Sequence, residues 1–146
     1  MMIIQDGGLP SNVDRGYILR RLIRRMVRHL RKLQINLNEL GELIDLNIDT
    51  LKEMYPELHQ NSNKIKSVII EEKDKFEKTL ERGEREFNKI VNRMKNDGKD
   101  TISGQDLFTL YETYGFPPEV TQDLAREAGL KVDTTEFDKL FKAVSY

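Results

Sequence analysis

Apolar residues along this chain recur three and four positions apart and almost never alternate, which predicts helices throughout and leaves strand signals nearly absent. Gly16–Leu33 is the clearest case. At about 100° per residue, Ile18, Leu19, Leu22, Ile23, Met26, Val27, Leu30 and Leu33 share one arc of roughly 180°. Arg20, Arg21, Arg24, Arg25, Arg28, Arg31 and Lys32 fill the opposite arc, with Tyr17 among them. The pattern therefore predicts a helix with one half facing a core and the other half facing anions.

Leu37–Asp45 and Asp49–His59 have the spacing of two shorter helices, the second with a bend or a fresh start at Pro56. Asn63–Asn96 reads as one long charged helix with a narrow stripe of Ile65, Ile69, Phe76, Leu80, Phe87, Val91 and Met94. Gly83 stands in that stripe where a large residue is expected, and a close helix–helix approach explains it. "DGGLPSN" is a loop, and Asn12 or Asp14 is a candidate cap for the basic helix. "KNDGKDTISG" is the clearest boundary. Beyond it, Ser103 caps a helix that runs through Tyr114 and stops at Gly115. Pro118 opens a helix closed by Gly129, and Asp133 with Glu136 makes a capping-box-like start for the last one. The expected fold is all-α: a helical bundle with a basic amphipathic N-terminal helix, one long central helix and a small C-terminal helical subdomain. The division expected is 1–98 and 99–146.

Charge changes the picture. The chain carries 24 Lys and Arg against 25 Asp and Glu, yet Pro10–Lys32 holds eight basic groups (Arg15, Arg20, Arg21, Arg24, Arg25, Arg28, Arg31 and Lys32) against Asp14 alone. Near-neutrality thus hides a strongly dipolar molecule. Ordinary solvated faces mix signs, because i,i+4 pairs of opposite charge gain ~0.2–0.5 kcal/mol each and like pairs lose similar amounts. Arg20, Arg24 and Arg28 are such like neighbours. Arginine, whose planar fork suits bidentate phosphate contacts, supplies seven of the eight charges. Two readings follow: a nucleic-acid backbone as partner, or an acidic protein surface.

Candidate chemistry adds little. The chain has no cysteine, and His29 and His59 cannot hold a metal without carboxylate help. Carboxylates such as Glu71, Glu72, Glu84 and Glu86 read as solvent groups on the polar side of the long helix. No nucleophile-elbow or phosphate-cradle spacing occurs, so no catalytic residue, metal site or cofactor is expected. Apolar runs are too short to span a bilayer, and the opening residues lack the basic start of a signal peptide, so cytosol is the expected compartment. Tyr111, Tyr114 and Phe116 cluster at a helix end, where Phe116 suits a small aromatic core. Glu112 falls on the opposite side from Leu107, Leu110 and Tyr114.

Two stretches carry a family resemblance. "DGGLPSNVDRGYILRRLIRRMVRH" (Asp6–His29) and "ISGQDLFTLYETYGFPPEVTQDLAREAGLKVD" (Ile102–Asp133) resemble the helical tRNA-recognition region of alanyl-tRNA synthetase, which follows its class II catalytic core. "FEKTLERGEREF" (Phe76–Phe87) is similar to the family's long connecting helix, and Lys32–Lys75 is the weakest part of the likeness.

The resemblance implies a role in choosing tRNA(Ala) by a G·U wobble pair in its acceptor stem. Asn12 of "PSN" and Glu112, at the aspartate position of the family's "LYDTYGFP", are then the base-reading residues. An amide or carboxylate oxygen can accept the guanine 2-amino group, and an amide can donate to a uracil oxygen; which residue meets which edge stays open. Arg15, Arg20, Arg21, Arg24, Arg25, Arg28, Arg31 and Lys32 would hold the RNA backbone, with Tyr17 and Tyr114 in support. Glu112 departs from the motif by one methylene, which changes its reach. The resemblance also implies a fragment: ATP and magnesium sites belong to the class II core, zinc to the editing domain, and neither is in this sequence. Such a chain is expected to be inactive alone, to partner the catalytic core and the tRNA(Ala) acceptor stem, and to use neither DNA nor a membrane. The alternative is a helical interaction module whose Arg-rich face docks an acidic partner or that core.

Overall fold

A computed structural model describes Met1 to Val144; Ser145 and Tyr146, the tail of the expected second subdomain, lie outside the described residues. In chain order come α1 (Met2–Gln5), α2 (Asp14–Lys32), a 3-10 turn (Leu37–Glu39), α3 (Leu40–Leu51), α4 (Pro56–Gln60) and α5 (Ser62–Asp97). Then follow β1 (Thr101–Ile102), α6 (Gly104–Tyr114), α7 (Pro118–Glu127), β2 (Lys131–Val132) and α8 (Thr134–Val144). The all-α class expected from the periodicity is the observed one. Its sole β element among the described residues is a two-residue parallel pairing of Thr101 with Lys131 and Ile102 with Val132.

The chain forms two compact units, Met1–Lys75 and Phe76–Tyr146, which divide inside α5. In the first unit the buried apolar residues are Ile4, Leu19, Ile23, Val27, Leu40, Ile44, Ile48, Leu58, Ile65 and Ile69. Pro56 opens α4 at its first turn, so the expected fresh start is what occurs. The second unit buries Phe76, Leu80, Phe87, Ile90, Val91 and Met94 along α5. Facing one another across α6 and α8 are Leu107, Phe108 and Phe137, with Tyr111, Val132, Leu140 and Phe141 packed around them.

Local signals at the helix ends of the second unit hold. Ser103 Oγ accepts from the Asp106 amide at 3.1 Å, and Asp133 Oδ1 accepts from the Glu136 amide at 3.0 Å. Glu136 does not complete the capping box; its Oε2 accepts from the Gly104 amide of α6 at 3.3 Å. Gly115 takes the left-handed conformation (φ 68°) that ends α6, with Phe116 N–H donating back to the Leu110 carbonyl at 3.1 Å.

At Gly83 the expected close approach is present, made by the end of α6 and the turn after it: a Cβ there would overlap the ring edge of fully buried Phe116 and lie 3.1 Å from Tyr114 Cβ. Three expectations need correction, the first in the helices of the first unit. Helix α3 runs unbroken from Leu40 to Leu51 in place of the break expected between Asp45 and Asp49, because Leu40, Ile44 and Ile48 bury one continuous face. The interruption falls at 52–55. Glu72 does not lie on the polar side of α5. It fills the gap in the apolar stripe between Ile69 and Phe76, and is 2% exposed. Nor does Asn12 or Asp14 cap α2, whose N-cap is Val13 without a side-chain bond. Asn12 cannot serve there because its oxygen is engaged elsewhere.

Candidate nucleic-acid interface

Helix α2 is rotated from the position its apolar arc suggests. Gly16, Leu19, Ile23, Arg24, Val27 and Arg28 are buried, whereas Ile18, Leu22 and Leu33 are 41%, 50% and 69% exposed. The cause is electrostatic. Glu72 sits inside the first unit, and a buried carboxylate without partners is costly enough to draw guanidinium groups to it. Arg20 Nε–H donates to Glu72 Oε1 at 2.8 Å, and Arg24 Nε–H to the same oxygen at 2.9 Å. The shared carboxylate offsets the like-charge cost of the Arg20–Arg24 spacing. On the side turned outward, Leu22, Met26 and Leu30 line an apolar groove of about 370 Å³ with Leu40, Leu43 and Ile44.

Arg20 has a second task. Its Nη1–H donates to Asn12 Oδ1 at 2.7 Å, so the exposed "PSN" loop is tied to the side of α2. The loop is folded tightly against the helix start. The Ser11 amide donates to the Gly16 carbonyl at 3.0 Å, and Ser11 Oγ donates to the Val13 carbonyl at 3.1 Å. Gly16 is required for this approach, because a Cβ there would overlap Ser11 Oγ and the Leu9 carbonyl. Asp14 takes φ 50°, the left-handed region that a short polar side chain tolerates.

The remaining basic residues divide by exposure. Arg15, Arg31 and Lys32 are exposed, Arg21 and Arg25 are half-buried, and Arg24 and Arg28 are buried. Arg21 places its guanidinium 5.8 Å from the Tyr17 ring centroid, within cation–π range.

In the second unit Glu112 is exposed in the last turn of α6. Its turn is anchored from below. Thr79 Oγ1 donates to the Tyr114 carbonyl at 2.8 Å, and Phe116 meets Phe76 edge-on at 5.6 Å between centroids. Tyr114 is half-buried here, and Tyr111 belongs to the aromatic cluster, 5.8 Å from Phe137 and 5.7 Å from Phe141.

Among the described residues no group of three or more His, Asp or Glu side chains gathers as a metal site. No helix among them is long and apolar enough to cross a membrane.

Comparison with known proteins identifies the chain's relatives. The sequence family described as tRNA synthetases class II (A) matches residues 1–145. The chain belongs to that family. Alanine–tRNA ligase of Natranaerobius thermophilus is 42% identical over 137 residues, which is 94% of this chain and 16% of that enzyme. Alanine–tRNA ligases of Streptococcus pyogenes and Streptococcus agalactiae are each 40% identical over 139 residues, 95% of this chain and 16% of theirs. These relatives support the likeness to alanyl-tRNA synthetase drawn from the two motifs, and the chain spans about 16% of their length.

Glu72 is the site residue that sequence reasoning missed. A signal was present: the α5 stripe skips from Ile69 to Phe76, and helical spacing puts 72 and 73 on the same face.

Proposed function

We propose that this chain is the tRNA-recognition region of an alanyl-tRNA synthetase, holding the acceptor stem of tRNA(Ala) and reading its G·U pair. The observation that carries this reading is the Asn12 amide, exposed yet held at 2.7 Å by Arg20, at the head of an arginine-rich helix. Exposed Arg15, Arg31 and Lys32 on that helix and its approach supply the cations for backbone contacts. Phosphate contacts set position, and short side chains reaching a shallow RNA minor groove set identity. Glu112 supplies an exposed carboxylate that can accept a base amino group. On this reading alanine activation, with its ATP and magnesium, belongs to the catalytic core of the enzyme, and zinc to its editing domain. This chain then binds without activating alanine.

A second reading has its own support. Glu72 accepts from two guanidinium groups of α2, which shows that carboxylates pair with this helix, and a carboxylate-bearing protein surface, including one on the catalytic core, is the same chemistry offered from outside. Titration of the protein with an acceptor-stem microhelix separates the two. Salt-dependent binding with a preference for G·U over G·C at one pair, abolished in Asn12→Ala, is the expected result. Equal binding of both RNAs by wild type and variant would remove the recognition reading.

A further inference from the structure

Asn12, Arg20 and Glu72 form one chain of contacts from the surface to the interior of the first unit. Arg20 donates from Nη1 to Asn12 Oδ1 at 2.7 Å and from Nε to Glu72 Oε1 at 2.8 Å. A guanidinium has donors only, so the Asn12 atom that faces it must be the amide oxygen. Nδ2 is the other end of that amide, on a residue exposed to solvent. Its anchor is firm, because Glu72 is 2% exposed and also accepts from Arg24 at 2.9 Å.

We propose that Glu72 and Arg20 are positioning residues for base-pair discrimination: the buried carboxylate fixes the Arg20 fork, and the fork fixes the Asn12 amide with its N–H donors at the end away from Arg20. The inference rests on the reading of Asn12 as a base-reading residue. Its chemical consequence is definite. Asn12 meets an acceptor on the base edge, such as a uracil carbonyl, and the guanine 2-amino group is left to an oxygen acceptor elsewhere. A buried carboxylate thereby governs which pair is accepted. Sites held by such support lose selectivity when the supporting shell is loosened, even with the reading group intact.

The test uses the whole protein, Glu72→Gln and Arg20→Lys variants, and two microhelix RNAs that differ only in a G·U or G·C pair. Arg20→Lys keeps the charge but cannot bridge two oxygens with a planar fork, so a lost preference there reports geometry and not electrostatics. Each variant is expected to cut the G·U to G·C affinity ratio by roughly 5–10-fold, within the range of one good base contact. Adding Arg20→Lys to Asn12→Ala should leave the ratio where Asn12→Ala alone puts it. A further arm is Asn12→Asp, which keeps the oxygen facing Arg20 and replaces the donor at the other end with an acceptor; it should lose the preference as fully as Asn12→Ala. Retention of the preference by Asn12→Asp would overturn the donor assignment.

A measurement without RNA separates this inference from the reading beneath it. The Asn12 side-chain amide signals in a 15N correlation spectrum, assigned by their absence in Asn12→Ala, should shift or broaden in both Glu72→Gln and Arg20→Lys. Unmoved signals in a folded variant overturn the positioning role, whatever the RNA does. Shifted signals in a protein that never distinguishes the two RNAs uphold the link between Glu72 and Asn12 and overturn the recognition reading instead.

Discussion

Glu112 illustrates how a single side chain can work against its own helix. It is exposed in the last turn of α6, where the unpaired carbonyls make the helix end partly negative. An ionised carboxylate at that place costs about 0.3–1 kcal/mol. Glu112→Gln should therefore raise stability by that amount in urea unfolding of the protein, while lowering its preference for the G·U microhelix. A gain in stability with no change in RNA preference would mean that Glu112 has no part in recognition. The sequence places Glu112 on the face opposite Leu107 and Leu110, and its exposure agrees. Glu72 taught the opposite lesson, because nothing in its immediate neighbours distinguishes it from Glu71 beside it. Only the spacing to Ile69 and Phe76 separates a buried anchor from an exposed carboxylate.

At the level of elements, α2 and α5 show how far periodicity reaches. Every apolar residue assigned to the α5 stripe is buried, since a narrow stripe on a long helix leaves one way to bury it. Helix α2 has an apolar arc roughly 180° wide, so several rotations bury about the same area and the choice falls to polar contacts. Glu72 makes that choice by holding Arg20 and Arg24. Gly83 shows the same dependence on a neighbour. The gap in the stripe was visible, but its occupant, Phe116, arrives from a turn 33 residues later in the chain. Gly83→Ala gains helix propensity of up to ~1 kcal/mol. Overlap with the buried Phe116 ring, and with Tyr114 Cβ at 3.1 Å, opposes it. Overpacking of this kind costs about 1–3 kcal/mol, so chemical denaturation should find the variant less stable. A variant of equal or greater stability would show that the ring shifts freely.

For the molecule as a whole, charge is the property with a measurable consequence. The chain is close to neutral, so any strong salt dependence of RNA binding must come from a local cluster of cations and not from net attraction. Replacing Arg15, Arg31 or Lys32 by Ala should lower the slope of log K against log salt by about 0.7–0.9 for each phosphate contact removed. Arg24→Ala is not an equivalent test. Its guanidinium is buried against Glu72, and loss of a buried partner destabilises the fold on the order of 3 kcal/mol. A thermal melt of Arg24→Ala indistinguishable from wild type would contradict the buried pairing.

The sequence by itself determined, though not where α3 ends, the all-α class, the helices α2, α5, α6, α7 and α8, the stops at Gly115 and Gly129, the caps at Ser103 and Asp133, and the concentration of cations on one helix. Each of these is set by residues within a few positions of one another, where backbone sterics and local hydrogen bonding decide the outcome. Tertiary structure alone decided which half of α2 turns inward, what fills the space at Gly83, and which end of the Asn12 amide faces Arg20. Those outcomes depend on partners 33 to 60 residues away, Phe116 for Gly83 and Glu72 for Asn12 through Arg20. Burial makes such pairings strong, and no local pattern encodes which distant side chain will supply them.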